Sequence, residues 1–384
     1  MPYPHVIRLR GPWEYEPLAR FTASADGAPH SSTADLPPSG RQPLPADWDS
    51  TLGSAFRGRV RYRRRFNRPT GLEAAERVWL AIDGVDACGS YALNGQSLGT
   101  IAGYALPAAS DVTDLLAAAN VLEIDVELAP SMASGSPQSN PHRPGRERRA
   151  GGAIGDVRLE IRGPAHVEGL AVYWEPGPGL AEPARLCVAG RAVGAMPDER
   201  FSVAIIGCER EIAYCEVAAG ATFAASAPIE DWPAWPDPYE EAVLTPVEIR
   251  LIAGGRAVWQ TVCQTAPPQS PEDSQRRAIL GQIGGDGPSE WFDYLAEGDA
   301  VLSALIARGA GKVIGLRGIM NDAVYSQLDR ANVAVVQLVP PSWAAIVCPR
   351  LAHHPSIVAW GARAAEDSSA LEAVAFGRPW IAIS

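Results

Sequence analysis

The chain lacks any run of about 18 apolar residues, the length a helix needs to cross a bilayer, so no membrane partner is expected. Its first residues, Met1-Pro2-Tyr3-Pro4-His5-Val6-Ile7-Arg8, lack the apolar stretch of a secretory leader, and the expected location is the cytoplasm. The six cysteines (Cys88, Cys187, Cys208, Cys215, Cys263, Cys348) lack metal-ligand spacing, so no metal is expected. Cys208 and Cys215 are near neighbours that strands flanking a turn could bring together, but buried free thiols are the expectation for a cytosolic chain. A basic balance is missing too. The formal net charge is -11, which argues against nucleic acid as a partner, because phosphate backbones need a net positive surface. No phosphate loop is present, and no cofactor is expected.

What the 384 residues do contain is ordinary folding material, with 47% hydrophobic and 20% charged residues. At this length two or three domains are expected. The 34 prolines and 37 glycines punctuate short alternating segments, as all-β chains do. Two basic clusters run against the acidic whole, at 57–68 and 142–149. In the first, Val60, Tyr62 and Arg64 share one face of a strand and Arg59, Arg61 and Arg63 the other, which reads as a solvated strand face.

Residues 1–165 read as short strands separated by turns, with Asn94-Gly95 between apolar runs as the strongest hairpin signal. A two-sheet sandwich is predicted. Alternation continues through 166–268, a length that suits one immunoglobulin-like sandwich. The proline-rich stretch Gln264-Thr265-Ala266-Pro267-Pro268-Gln269-Ser270-Pro271 reads as a linker. From 275 to 384 the period changes. Short apolar runs at 278–283, 313–316, 333–339, 356–360 and 380–383 alternate with helix-like stretches such as 299–308 and 322–331, which predicts a parallel α/β unit.

Several of these residues carry a resemblance. Leu44-Pro45-Ala46-Asp47-Trp48, Tyr62-Arg63-Arg64-Arg65-Phe66, Asp83-Gly84-Val85-Asp86, Leu93-Asn94-Gly95 and Gly151-Gly152-Ala153-Ile154-Gly155-Asp156-Val157 resemble, in order and spacing, the N-terminal jelly-roll of glycoside hydrolase family 2. Trp235-Pro236-Asp237-Pro238-Tyr239 is similar to a stretch in that family's immunoglobulin-like domain. His354-Pro355-Ser356-Ile357-Val358-Ala359-Trp360 looks like its strand-four signature, and Tyr325-Ser326-Gln327-Leu328-Asp329 like an earlier helix and turn. The resemblance implies a jelly-roll over 1–165, an immunoglobulin-like sandwich over 166–268, and over 275–384 a partial (β/α) barrel of four to five parallel strands, since a full barrel takes about 250 residues.

In the family, the strand-four tryptophan is followed by an Asn-Glu pair, whose Glu is the acid/base of catalysis. The matching register here puts Ala364 and Ala365 in those places. A retaining glycosidase needs two carboxylates about 5–5.5 Å apart, one charged and one protonated in each half-reaction. The resemblance therefore implies a catalytically degenerate relative that binds carbohydrate or serves in assembly. Glu366 is the weak catalytic candidate, displaced by one residue; as a helix-start acid beside Asp367 it has an ordinary structural reading. Arg317 and Asn321 match ligand-binding positions of the family, while Met320 stands where the family keeps His. Trp360 and Trp343 are candidate sugar platforms, along with Trp232, Trp235 and Trp291. The expected partners are a carbohydrate ligand and either a second copy or a separate subunit covering the open sheet. The alternative is an active β-glycosidase whose half-barrel such a partner completes.

Overall fold

The computed structural model describes residues 4–23, 29–101, 107–130, 151–175, 183–194, 200–229, 243–266, 288, 291–293, 303, 306–307, 313–320, 322–363, 374–376, 378 and 380–383. The chain divides into two compact units, 4–163 and 164–384. The predicted strand at 278–283 and the basic loop at 142–149 lie outside the described residues, as does most of the predicted helix at 299–308. Among the described residues no helix is long and apolar enough to cross a membrane.

The first unit is a sandwich of antiparallel sheets. One orders its strands His5–Arg8, Val157–Arg162, Arg77–Ile82, Ala108–Asp111; the other runs Pro29–Ser32, Trp13–Ala23, Gly58–Asn67, Ala119–Leu128, Cys88–Leu93, Gln96–Ile101, with Gly40–Gln42 also paired to Trp13–Ala23. The period-two pattern dictates this arrangement. Along Ala119–Leu128, Leu122, Ile124, Val126 and Leu128 are buried while Glu123, Asp125 and Glu127 face outward. The inward set meets Leu80, Ile82 and Leu159 from the facing sheet, with Trp13, Trp48 and Tyr62 at the centre. Each such side chain contributes about 1.5–3 kcal/mol by leaving water. The hairpin expected at Asn94-Gly95 forms, with φ of 53° and 81° and Leu93 opposite Gln96.

The arginine strand needs a correction. Val60 and Tyr62 point inward as expected, but Arg64 is only half-buried and donates through Nη1 to the Pro12 carbonyl at 2.7 Å. The opposite face is not simply solvated. Register sets Arg59, Arg61 and Arg63 directly across from Glu127, Asp125 and Glu123. Arg61 grips Asp125 through Nε and Nη2 at 2.7 and 2.8 Å, and Arg63 Nε reaches Glu123 at 2.9 Å. Opposite charges in register make a cross-strand ladder, with each rung contributing roughly 0.2–1 kcal/mol.

The motifs at 44–48 and 151–157 meet in the core. Trp48 Nε1 donates to the Tyr62 hydroxyl at 2.8 Å, Gln42 Nε2 donates to the same oxygen at 3.1 Å, and the Trp48 amide donates to the Gly151 carbonyl at 2.7 Å. A Cβ on Gly151 would stand 2.6 Å from the Trp48 ring and 2.8 Å from the Asp86 carbonyl oxygen, so only glycine threads this gap.

The second unit opens with another antiparallel sandwich. Its sheets are His166–Glu175, Arg185–Val193, Thr222–Pro228 and Arg210–Ala218, Arg200–Gly207, Thr245–Ala253, Arg256–Thr265. Phe201, Val203, Val247, Ile249 and Leu251 fill the space between them. All six cysteines are free, yet Cys88 and Cys208 are exposed, which corrects the expectation of buried thiols; Cys208 sits in a two-residue turn rather than a strand.

Among the described residues five parallel strands follow in sequence order: Trp291–Asp293, Val313–Arg317, Ala334–Leu338, Ile357–Arg363, Trp380–Ile383. The helix Asp322–Arg330 joins the second to the third, and Pro341–Leu351, with proline in its first turn, joins the third to the fourth. The first of these strands was not legible in the sequence, because three residues show no period. Among the described strands the order is sequential and shows no reversal of the kind that marks the switch point of a doubly wound sheet.

Gly151→Ala should destabilise the first unit by about 1–3 kcal/mol through overpacking against Trp48. Urea unfolding followed by tryptophan fluorescence measures it; an unchanged midpoint would show that the corner relaxes freely.

Candidate functional site

Ligands of parallel α/β sheets bind at the carboxyl ends of the strands. Here that edge comprises Arg317, the loop 318–320, Leu338 with Val339, and the end of Ile357–Arg363. Three sets of interactions shape it.

Beneath the first loop lies a buried polar cluster. Tyr325 donates its hydroxyl to Gln337 Oε1 at 2.7 Å, and the Met320 amide donates to the same hydroxyl at 3.2 Å. Gln337 Nε2 lies 3.1 Å from the Gly318 carbonyl oxygen and 2.9 Å from that of Leu338. Gln337 and Tyr325 are fully buried, so each must find partners inside. Together they fix the path of the chain just after Arg317. Met320, in the family's His position, is buried with its backbone tied in; it is a packing residue.

The second set explains the motif at 353–360. Asp329, at the end of its helix, is buried, and its two oxygens accept from His354 Nδ1 at 2.7 Å and the Ser356 amide at 2.9 Å. The His354 ring leans on Tyr325 at 5.1 Å and on His353 at 4.0 Å between centroids. Arg378 Nη2 donates to the His354 carbonyl at 2.8 Å, and its Nε to that of Ile357. From the sandwich, Thr265 donates its hydroxyl to the His353 carbonyl at 2.8 Å while accepting from Trp174 Nε1 at 3.0 Å. The signature is thus an anchored junction. Asp, His and Ser stand together here as in hydrolytic triads, but His354 is 1% exposed and Ser356 2%, and the Ser356 amide rather than a free nucleophile faces the acid.

The third set concerns the candidate ligand residues. Arg317 is half-buried, with its guanidinium over the Trp291 ring at 5.4 Å, and that ring lies across Gly315. Trp343 is half-buried near the start of its helix. Trp360 is fully buried, donates Nε1 to the Ala375 carbonyl at 2.9 Å and lies 5.5 Å from the Arg378 guanidinium, so it belongs to the core and offers no open face. Asn321, Glu366, Ala364, Ala365, Trp232 and Trp235 lie outside the described residues. Of the acidic side chains described from 288 onward, Asp322 is exposed and Asp329 is held by His354, so they form no facing pair of carboxyl groups. Among the described residues no cluster of His, Cys, Asp or Glu is arranged to hold a metal.

Gln337, Asp329 and Arg378 were missed as contributors. A glutamine inside the apolar run 333–339 was the available signal, since a polar residue buried in a strand needs partners.

The family model described as glycosyl hydrolase 2 galactose-binding domain-like matches residues 28–164. A search of curated proteins gave no match. Among solved structures, the chain is similar to a Bacteroides fragilis protein assigned as a β-galactosidase, at 16% identity and TM-score 0.68, covering 97% of this chain and 60% of that one. It is similar to a β-glucuronidase from Bifidobacterium dentium at 17% identity and TM-score 0.68, covering 99% and 74%. It also resembles a family 2 β-galacturonidase from Eisenbergiella tayi at 14% identity and TM-score 0.68, covering 98% and 71%. At such identities the likeness is one of fold.

Two predictions follow from the junction. Asp329→Ala leaves His354 and the Ser356 amide without their acceptor and should cost about 3–5 kcal/mol, the range for breaking a buried pair; denaturant midpoints measure it, and a loss under 1 kcal/mol would sink this account. Burial, with His354, Arg378 and Arg350 nearby, holds the His353 imidazole well below the ordinary histidine range. The folded state then stays neutral where the unfolded chain takes a proton, near pH 6.5. Stability should therefore fall as pH drops through about 6.5, by at most about 1.4 kcal/mol per pH unit, and His353→Gln should flatten that slope.

Proposed function

We propose, for a chain related to glycoside hydrolase family 2 through its domain at 28–164 and through its fold, that it is a catalytically silent member acting as a carbohydrate-binding protein. One observation carries this reading. Ile357–Arg363 is a strand of the parallel sheet, and the two residues that follow it in sequence are Ala364 and Ala365, where the resemblance places the Asn and the acid/base Glu. A methyl group neither donates a proton nor accepts one, so glycosidic oxygen protonation has no agent at that position.

The architecture favours a partial (β/α) barrel for the parallel unit, because five strands lie in sequence order and share one direction. In that frame Arg317, at the end of the second described strand, is the residue best placed to meet a sugar hydroxyl, with Trp291 supporting its guanidinium. The buried cluster of Tyr325 and Gln337 would hold the loop after Arg317 in place without touching the ligand. The retained motifs fit this reading: Asp329 with His354 and Tyr325 with Gln337 are matters of packing, which a binding protein needs as much as an enzyme does.

The expected outcome is background turnover of aryl β-galactosides, β-glucuronides and β-mannosides, together with measurable affinity for a member of a glycan panel. Hydrolysis above background that disappears in Glu366→Gln would overturn the silent reading and make Glu366 the acid/base. No affinity for any glycan would remove the binding part.

A further inference from the structure

The outer face of the larger sheet in the first unit carries a cavity of about 320 Å³, lined by Glu14, Glu16, Ser39, Arg41, Arg61 and Arg63 together with residues 15 and 40. Its size is at the lower end of small-molecule sites, which run from about 300 to 1,000 Å³. Strand register builds it. Glu14 pairs across from Arg63 on one side and Arg41 on the other, and Glu16 pairs across from Arg61, so charged side chains converge from three neighbouring strands.

Charge balance selects the ligand. Arg41 meets Glu14 at 3.2 Å, Arg61 is held by Asp125 at 2.7 Å, and Arg63 is held by Glu123 at 2.9 Å with Glu16 at 3.9 Å. A fully charged ligand would have to break one of these pairs to find a counter-ion. A hydroxyl group need not: a guanidinium has five N–H donors and a carboxylate about four acceptor positions, so paired groups keep donors and acceptors to spare. Vicinal hydroxyls bridge from guanidinium to carboxylate, accepting from one and donating to the other. The ladder also holds Arg61 and Arg63 in place beforehand, which lowers the cost of ordering them on binding.

We infer that this cavity is a binding site for a neutral carbohydrate, taking about one pyranose ring through its vicinal hydroxyls. The inference rests on the carbohydrate-binding reading above and assigns it a second location, in the first unit.

Titration of the full-length protein with galactose, lactose, cellobiose, mannobiose and glucuronate, by calorimetry or ligand-observed magnetic resonance, tests it. Arg41 and Glu16 have side chains 69% and 53% exposed, so the double variant R41A/E16A should fold with an unchanged melting temperature. The expected result is binding of a neutral sugar that weakens at least tenfold in the double variant and is unaffected by Arg200→Ala on the second sandwich, with glucuronate weaker than the neutral probes. Neutral-sugar binding left intact in R41A/E16A would overturn this site while sparing the wider reading; tighter binding of glucuronate would overturn the neutral-ligand assignment. If no probe binds to the wild type, this site falls, while the wider reading is decided by the glycan panel.

Discussion

A carboxylate removed from water must have its oxygens satisfied, and Asp329 meets that demand with a single loop. One oxygen takes the His354 ring and the other takes the Ser356 amide, so the acid at the end of a helix dictates where the strand Ile357–Arg363 begins. The consequences spread outward. With His354 fixed, its carbonyl is presented to Arg378, and the preceding His353 carbonyl is presented to Thr265 of the sandwich. Strand Ile357–Arg363 therefore enters the sheet at a defined register, and Trp360 lands in the core with its indole N–H satisfied by Ala375. Leaving either Asp329 oxygen unanswered at this depth would cost on the order of the whole desolvation penalty of a charged group. This loop ties sandwich to parallel sheet within a single compact unit, where Tyr173 of the sandwich also meets Phe376 at 5.3 Å between ring centroids.

Polar groups are handled differently in the first unit. Its interior holds a compact polar cluster of Trp48, Tyr62 and Gln42, and Asn120 is buried in a second network with Asn94, while the outer face of the larger sheet carries charge in alternating rows. Burial pushes the Tyr62 hydroxyl's pKa up, so it stays protonated and can both accept from Trp48 and remain neutral in the core. The ladder outside contributes modestly to stability, since exposed pairs do, yet it orders guanidinium and carboxylate groups at fixed spacing over three strands. A surface so arranged is stiff without being apolar, which is the requirement for recognising a polyol in competition with water.

Much of this was readable in advance, for a physical reason in each instance. Period-two alternation in 119–128, the Asn94-Gly95 turn and the run 333–339 depend on local preferences that sequence states directly. The arginine strand was read correctly as to which residues face inward at Val60 and Tyr62, but its outer face was misjudged because Glu123, Asp125 and Glu127 lie about sixty residues away and only register brings them opposite. Trp291–Asp293 escaped notice because three residues carry no periodicity; it is a strand by virtue of its neighbour. Trp360 reads in the sequence as a candidate platform because it ends a barrel-like strand, whereas its Ala375 contact and burial follow from the chain returning alongside it. Short-range rules reached the elements; long-range pairing decided the roles.

The motif at 353–360 illustrates why a retained signature does not by itself argue for retained chemistry. His354, Ser356 and Trp360 each spend their hydrogen-bonding capacity or burial on architecture: on Asp329, on the Val335 amide and Asp329 again, and on Ala375. Folding alone would keep His354 and Trp360, because losing either leaves a buried polar group without its partner or a cavity in a parallel sheet, whereas the Ser356 contacts run through its backbone and do not depend on the hydroxyl. Packing of this kind would therefore keep such a motif recognisable whether or not the fold turns over a substrate.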